Sequence, residues 1–128
     1  MALSPAPRPL LLLVDDDARA GQLLARMLKE DGFEAEVTLD GAAALARLAR
    51  GPAPAALVTD YHLPLADGLA VARYARFVGP AMPVVVITGD PRAFARASAS
   101  APLGGSLLVV TKPLDYGQLV DHLLAALA

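Results

Sequence analysis

Hydrophobic and polar positions along the chain fall into two alternating patterns. Short apolar runs, Leu10 to Val14, Ala55 to Thr59, Val84 to Ile87 and Leu107 to Val110, read as strands buried on both faces. Between them, apolar residues recur every three or four positions: Leu23, Leu24, Met27 and Leu28 within Ala18 to Glu30, and Leu119, Val120, Leu123, Leu124 and Leu127 within Asp115 to Leu127. Gly41 to Arg50 is an alanine-rich helix stopped by Gly51-Pro52. Ala66 to Val78 is a helix with Leu69, Ala72, Tyr74 and Phe77 as its inward positions, ended by Gly79-Pro80. Phe33 to Val37 alternates more weakly and suits an edge strand. Pro91 to Ser100 predicts a short helix of Ala, Ser and Arg ahead of the breakers Pro102, Gly104 and Gly105. Five strands alternating with five helices predict the α/β class, with βαβ units wound around one parallel sheet.

The polar residues directly after these strands carry the candidate chemistry. Asp15-Asp16 follows the first run, Asp60 the third strand, Thr88 the fourth, and Lys112-Pro113 the fifth. Ligands of open α/β sheets bind at the carboxyl ends of the strands, so these distant residues are expected to converge. Each like-charge pair about 5 Å apart would cost roughly 3 kcal/mol at an effective dielectric near 20, so such a site calls for a divalent cation. Carboxylate and carbonyl oxygens without sulfur or clustered imidazole favour Mg²⁺, which commonly pairs with phosphate oxygens. A phosphoryl donor is then the natural partner, with Asp60 as candidate nucleophile, Lys112 as a point charge and the Thr88 hydroxyl as a hydrogen-bond donor.

Each residue also has an ordinary structural reading. An aspartate of the Asp15-Asp16-Asp17 run can cap the following helix, and Asp17 is the best placed to do so. Asp60 alone could be a turn residue before Pro64, Thr88 a β-branched strand residue, and Lys112 a solvated loop lysine. Asp90 before Pro91 reads as a helix cap with proline at the first helical position. His62 reads as a neighbour of the site, its ring not a metal ligand. The joint occurrence at every strand end of the central sheet argues for function.

Composition narrows the class. At 128 residues the chain is one domain, expected to consist of a flexible tail over 1-8 and a folded unit over 9-128. Its longest apolar runs fall far short of the roughly 18 residues a membrane helix needs, and Met1 to Pro9 lacks the features of a secretory signal, so a cytoplasmic location and no membrane are expected. The absence of cysteine excludes disulfides, thiolate catalysis and cysteine-ligated zinc. With a net charge of -2 and arginines scattered over several segments, no direct nucleic-acid partner is expected.

The run Leu11 to Asp17, the segment from Asp60 to Gly68 with Pro64 and Asp67-Gly68, Thr88-Gly89 and Lys112-Pro113 together resemble the receiver domain of two-component response regulators, of the kind found in chemotaxis regulators, over nearly the whole chain. The resemblance implies a flavodoxin-like sheet of order 2-1-3-4-5. It implies that Asp60 is the phosphoacceptor, that Asp16 binds Mg²⁺ directly and Asp15 through a water, and that the backbone carbonyl of His62 is a further ligand beside Asp60. Thr88 and Lys112 would complete the site, with Lys112-Pro113 cis. The implied partners are a histidine kinase or histidine phosphotransfer protein as donor, and a downstream effector or output domain; a homodimer through the last two strands and helices is a further expectation. By the same resemblance the chain is not an enzyme, although it would phosphorylate and dephosphorylate itself. It departs from the pattern at Val109, where many members carry an aromatic residue. His62 and Asp90 border the path of the hydrolytic water, and their bulk is expected to set the lifetime of the phosphoryl group. A stand-alone regulator is the simplest expectation from the extent of the chain, although a piece of a longer regulator or hybrid kinase would look the same. Three aspartates after the first strand disfavour a flavin module, and no sequence is available for a phosphatase cap. A degenerate receiver acting only as a scaffold is the remaining alternative.

Overall fold

A computed structural model describes residues 7–128. Along the chain, β1 (Leu10–Val14), α1 (Ala18–Glu30), β2 (Glu34–Thr38), α2 (Gly41–Arg50), β3 (Ala56–Asp60), α3 (Gly68–Val78), β4 (Val84–Thr88), α4 (Pro91–Ser98), β5 (Leu107–Thr111) and α5 (Tyr116–Ala126) alternate without exception. The strands form one parallel sheet in the order β2-β1-β3-β4-β5, the expected topology. Of the expected tail, only Pro7 and Arg8 are among the described residues, and the Arg8 guanidinium donates to the Lys29 carbonyl at 2.8 Å.

Side chains of a strand alternate between faces, and the core divides accordingly. Leu11, Leu13, Val58, Val85 and Ile87 pack with Leu28 of α1 and with Leu119 and Leu123 of α5. Leu12, Val14, Leu57, Val84 and Val86 pack with Ala44 and Leu48 of α2, with Val71, Ala72 and Ala75 of α3, and with Phe94 of α4. β3 and β4 are buried at every position, whereas the edge strand β2 exposes Glu34 and Glu36. That edge also carries a buried cation: Arg47 Nε donates to Glu36 at 2.6 Å and its Nη1 to the Pro52 carbonyl at 2.8 Å.

Every helix starts on an aspartate cap. Asp17, Asp40, Asp67, Asp90 and Asp115 each accept backbone N–H groups of the first turn, satisfying donors that a helix start leaves orphaned. The capping reading of Asp17 and Asp90 holds, and α3 accordingly begins at Gly68, after its cap, where the apolar pattern pointed to Ala66. Four apolar assignments fail: β5, read as covered on both faces, buries only Val110 and exposes Leu107, and three helix residues point outward. Leu23, Phe77 and Leu124 face solvent, Phe77 being 79% exposed. The buried positions of α1 are 21, 25 and 28 and those of α3 are 68, 69, 71, 72 and 75. Leu23 and Phe77 sit two residues, about 200° of helical turn, from buried positions on their helices, so they point away from the sheet. Phe77 instead stacks on Tyr74, with centroids 6.1 Å apart.

Candidate functional site

Parallel register sets the site. Val14 pairs with Thr59, so Asp15 leaves the sheet level with Asp60; Asp60 in turn pairs with Ile87, and Thr88 with Thr111, one residue before Lys112. Carboxylate oxygens of Asp15, Asp16 and Asp60 lie within 4.8 Å of one another. Lys112 Nζ is 3.4 Å from Asp60 Oδ2, and the Lys112-Pro113 peptide is cis. Asp15, Asp60 and Lys112 border a cleft of about 210 Å³ whose other walls are apolar: Ala20, Leu24, Ile87, Pro113 and Leu114.

The remaining candidates hold different positions around this cluster. Thr88, the last residue of β4, is buried, and its hydroxyl oxygen accepts the Asp90 N–H at 2.9 Å. The His62 side chain is exposed, its ring 4.7 Å from that of Tyr61. Asp15 Oδ1 accepts the Asp17 N–H at 2.9 Å, which fixes that carboxylate at the mouth of the strand.

Two glycines make the loop after β3 fit. A Cβ on Gly68 would stand 2.1 Å from the Asp60 carbonyl oxygen, and one on Gly41 would stand 2.0 Å from the Ala66 carbonyl oxygen. The Gly68 N–H donates to the Tyr61 carbonyl at 2.7 Å and the Gly41 N–H to the Pro64 carbonyl at 3.1 Å. Backbone-to-backbone contact therefore clamps the loop carrying Asp60 between α2 and α3, at a distance that excludes any side chain. Periodicity and residue type carry no signal for Gly41; an aspartate followed by glycine at a helix start is the only local hint.

Electrostatics at Asp60 are unbalanced. Burial, then the neighbouring charge of Asp15, push its carboxyl up to about 7, and Lys112 opposes them only partly. Lys112 is a weak counterion because half of its side chain is in water, while that of Asp60 is 6% exposed. The cluster thus has a surplus of oxygen donors and a shortage of positive charge. A hard divalent cation fits that donor set: three carboxylates, no sulfur and no imidazole among them.

A model of the response regulator receiver domain family matches residues 11–124. Response regulator MprA of Mycobacterium leprae is 39% identical over 95 residues, 74% of this chain but 39% of that protein, so the chain spans about two fifths of the length of such relatives. Among solved structures, a response regulator receiver protein from Sinorhizobium medicae superposes with a TM-score of 0.82 at 31% identity over 94% of both chains. A sensor protein from Polaromonas gives 0.80 at 32% identity over 94% of this chain and 97% of that one. Fold, strand-end chemistry and kinship agree, and the chain belongs to the response regulator receiver domain family.

Proposed function

We propose that this receiver domain takes a phosphoryl group from a phosphohistidine of a histidine kinase or histidine phosphotransfer protein onto Asp60, with Mg²⁺ as cofactor, and passes the change to a downstream protein effector or output domain. The observation that carries the reading is the meeting of three carboxylates within 4.8 Å, with an ammonium 3.4 Å from one of them, in a member of this family. Asp60 Oδ attacks phosphorus, the P–N bond to the donor imidazole breaks as the P–O bond forms, and the imidazole keeps the electron pair and takes up a proton. Asp15, Asp16, Asp60 and the His62 carbonyl would hold Mg²⁺, which supplies charge neutralisation for the transferred group.

The chain's own residues do the rest. Lys112, anchored near Asp60 Oδ2, offers a charge to a second phosphoryl oxygen, and the Thr88 hydroxyl donates a hydrogen bond to a third. Rotation of the hydroxyl toward that oxygen would take it away from the Asp90 N–H, so the α4 end of the β4–α4 loop shifts its equilibrium when the site is filled. The face formed by α4, β5 and α5 is the surface read by partners, a second copy of the chain among them. The protein accepts and later releases phosphate on itself in the cytoplasm, and turns over no separate substrate. His62 and Asp90 border the site and set how long the acyl phosphate lasts. Incubation with acetyl phosphate, read by intact mass, tests this: one phosphoryl group should add with Mg²⁺ present and none after chelation. Equal labelling of Asp60→Asn would overturn it.

A further inference from the structure

α4 buries a single side chain, that of Phe94 at 3% exposure, while Arg92, Ala95, Arg96 and Ala97 lie on the surface. The Phe94 ring stands edge-on against Tyr61, with centroids 5.4 Å apart and planes at 85°. Tyr61 is the residue after Asp60; it is 8% exposed, and its N–H is bonded to the Ile87 carbonyl at 2.9 Å. The second attachment is polar. Asp90 caps the helix through the Ala93 N–H, and its own N–H is bonded to the Thr88 hydroxyl oxygen. These two contacts end on the residue after Asp60 and on the Thr88 hydroxyl, while Ala93 adds a partly buried contact with the same core cluster and the helix also touches α3 and β5.

We propose that the Tyr61–Phe94 ring pair is the mechanical link through which occupancy of Asp60 repositions α4. The inference rests on Asp60 as phosphoacceptor and adds the route by which its state leaves the site. When the Thr88 hydroxyl turns to a phosphoryl oxygen, the Asp90 N–H loses its acceptor and the polar attachment slackens. The ring pair then remains as the helix's buried aromatic contact with the residue that follows Asp60. Tyr61 is bonded through its N–H to Ile87 and through its carbonyl to Gly68, so it follows the strand end that carries Asp60, and its edge-to-face contact ties Phe94 to that position. Val109 of β5 packs against the same cluster but is only half-buried and has no ring, and it serves as the control position.

Hydrogen exchange of the α4 amides, with and without Mg²⁺ and beryllofluoride as a phosphoryl mimic, tests the link, and the ¹⁹F signal reports loading independently. Loading should change exchange in the parent by about fivefold or more, and by less than about twofold in Phe94→Leu and Tyr61→Leu. The double variant should be no worse than either single one, because both remove the same contact. Phe94→Met repeats the test with another apolar side chain should the leucine variant fold poorly, and Val109→Ala should respond like the parent. A full response in fully loaded Phe94→Leu, a loaded parent whose α4 does not respond, or loss of the response in Val109→Ala overturns the link and leaves the phosphoacceptor reading standing. A parent that shows no bound ¹⁹F signal sinks both.

Discussion

Replacing Asp60 by asparagine should stabilise the protein, by an amount that depends on pH. A carboxyl raised from 3.8 to about 7 keeps its proton longer in the folded chain than in the unfolded one. Stability is therefore lost as pH rises between those two values and is lowest above the upper one. The raised pKa corresponds to about 4 kcal/mol at pH 8, about 2 at pH 5 and under 1 at pH 4, at 1.36 kcal/mol per unit. The Asp60→Asn side chain keeps the shape, removes the repulsion from Asp15 and gives up only a loose contact with half-exposed Lys112, so about 3 kcal/mol of net gain is expected at pH 8 without divalent cations. Urea unfolding of parent and variant from pH 4 to pH 8 in chelator measures it. In thermal unfolding the same gain is roughly 10 °C for a domain of this size. Mg²⁺ should raise the parent more than the variant. Equal stability at pH 8, or a gain that does not shrink toward pH 4, would refute the electrostatic account of the site.

Other outcomes follow from single contacts. Gly68→Ala must move either the Asp60 carbonyl or α3, and is expected to cost about 2 kcal/mol or more in urea unfolding; a variant of parental stability would mean the clamp is loose. Asp40→Ala removes the α2 cap and should cost about 1 kcal/mol, read in the same way. Lys112→Ala withdraws the charge that lowers the Asp60 pKa, so the carboxyl should titrate higher and acetyl phosphate labelling at pH 7 should slow by about 10²-fold, followed by intact mass. Phe77→Ser should leave stability within about 0.5 kcal/mol of the parent, since that ring lies on the surface.

The strands and their ends were legible because continuous apolar runs and the residues that stop them are local signals, whereas the order of the strands in the sheet came with the family resemblance. Asp15, Asp16 and Asp60 needed only the rule that parallel strands present their carboxyl ends together, and their oxygens do meet. Helix faces were legible where the whole stripe is apolar, as at Leu119 and Leu123, and misread where a large residue lies off the stripe, as at Leu23 and Phe77. The buried face of α3 joins Leu69 and Val71 to the small residues Ala72 and Ala75, and at the last of these hydrophobicity alone favours the larger Phe77. Gly41 against Ala66, and Tyr61 against Phe94, are contacts between elements far apart in sequence, and their geometry exists only after the sheet has assembled.

Borohydride reduces an acyl phosphate to an alcohol and leaves phosphoesters and free carboxylates alone, so it marks the residue that carried the phosphoryl group. Acetyl phosphate and Mg²⁺ treatment, borohydride quenching and peptide mapping should place homoserine at position 60 and at no other aspartate, and chelator should abolish it. Homoserine in place of Asp15 or Asp16 instead, or a labelled protein with Asp60 unchanged, would contradict the assignment of the site.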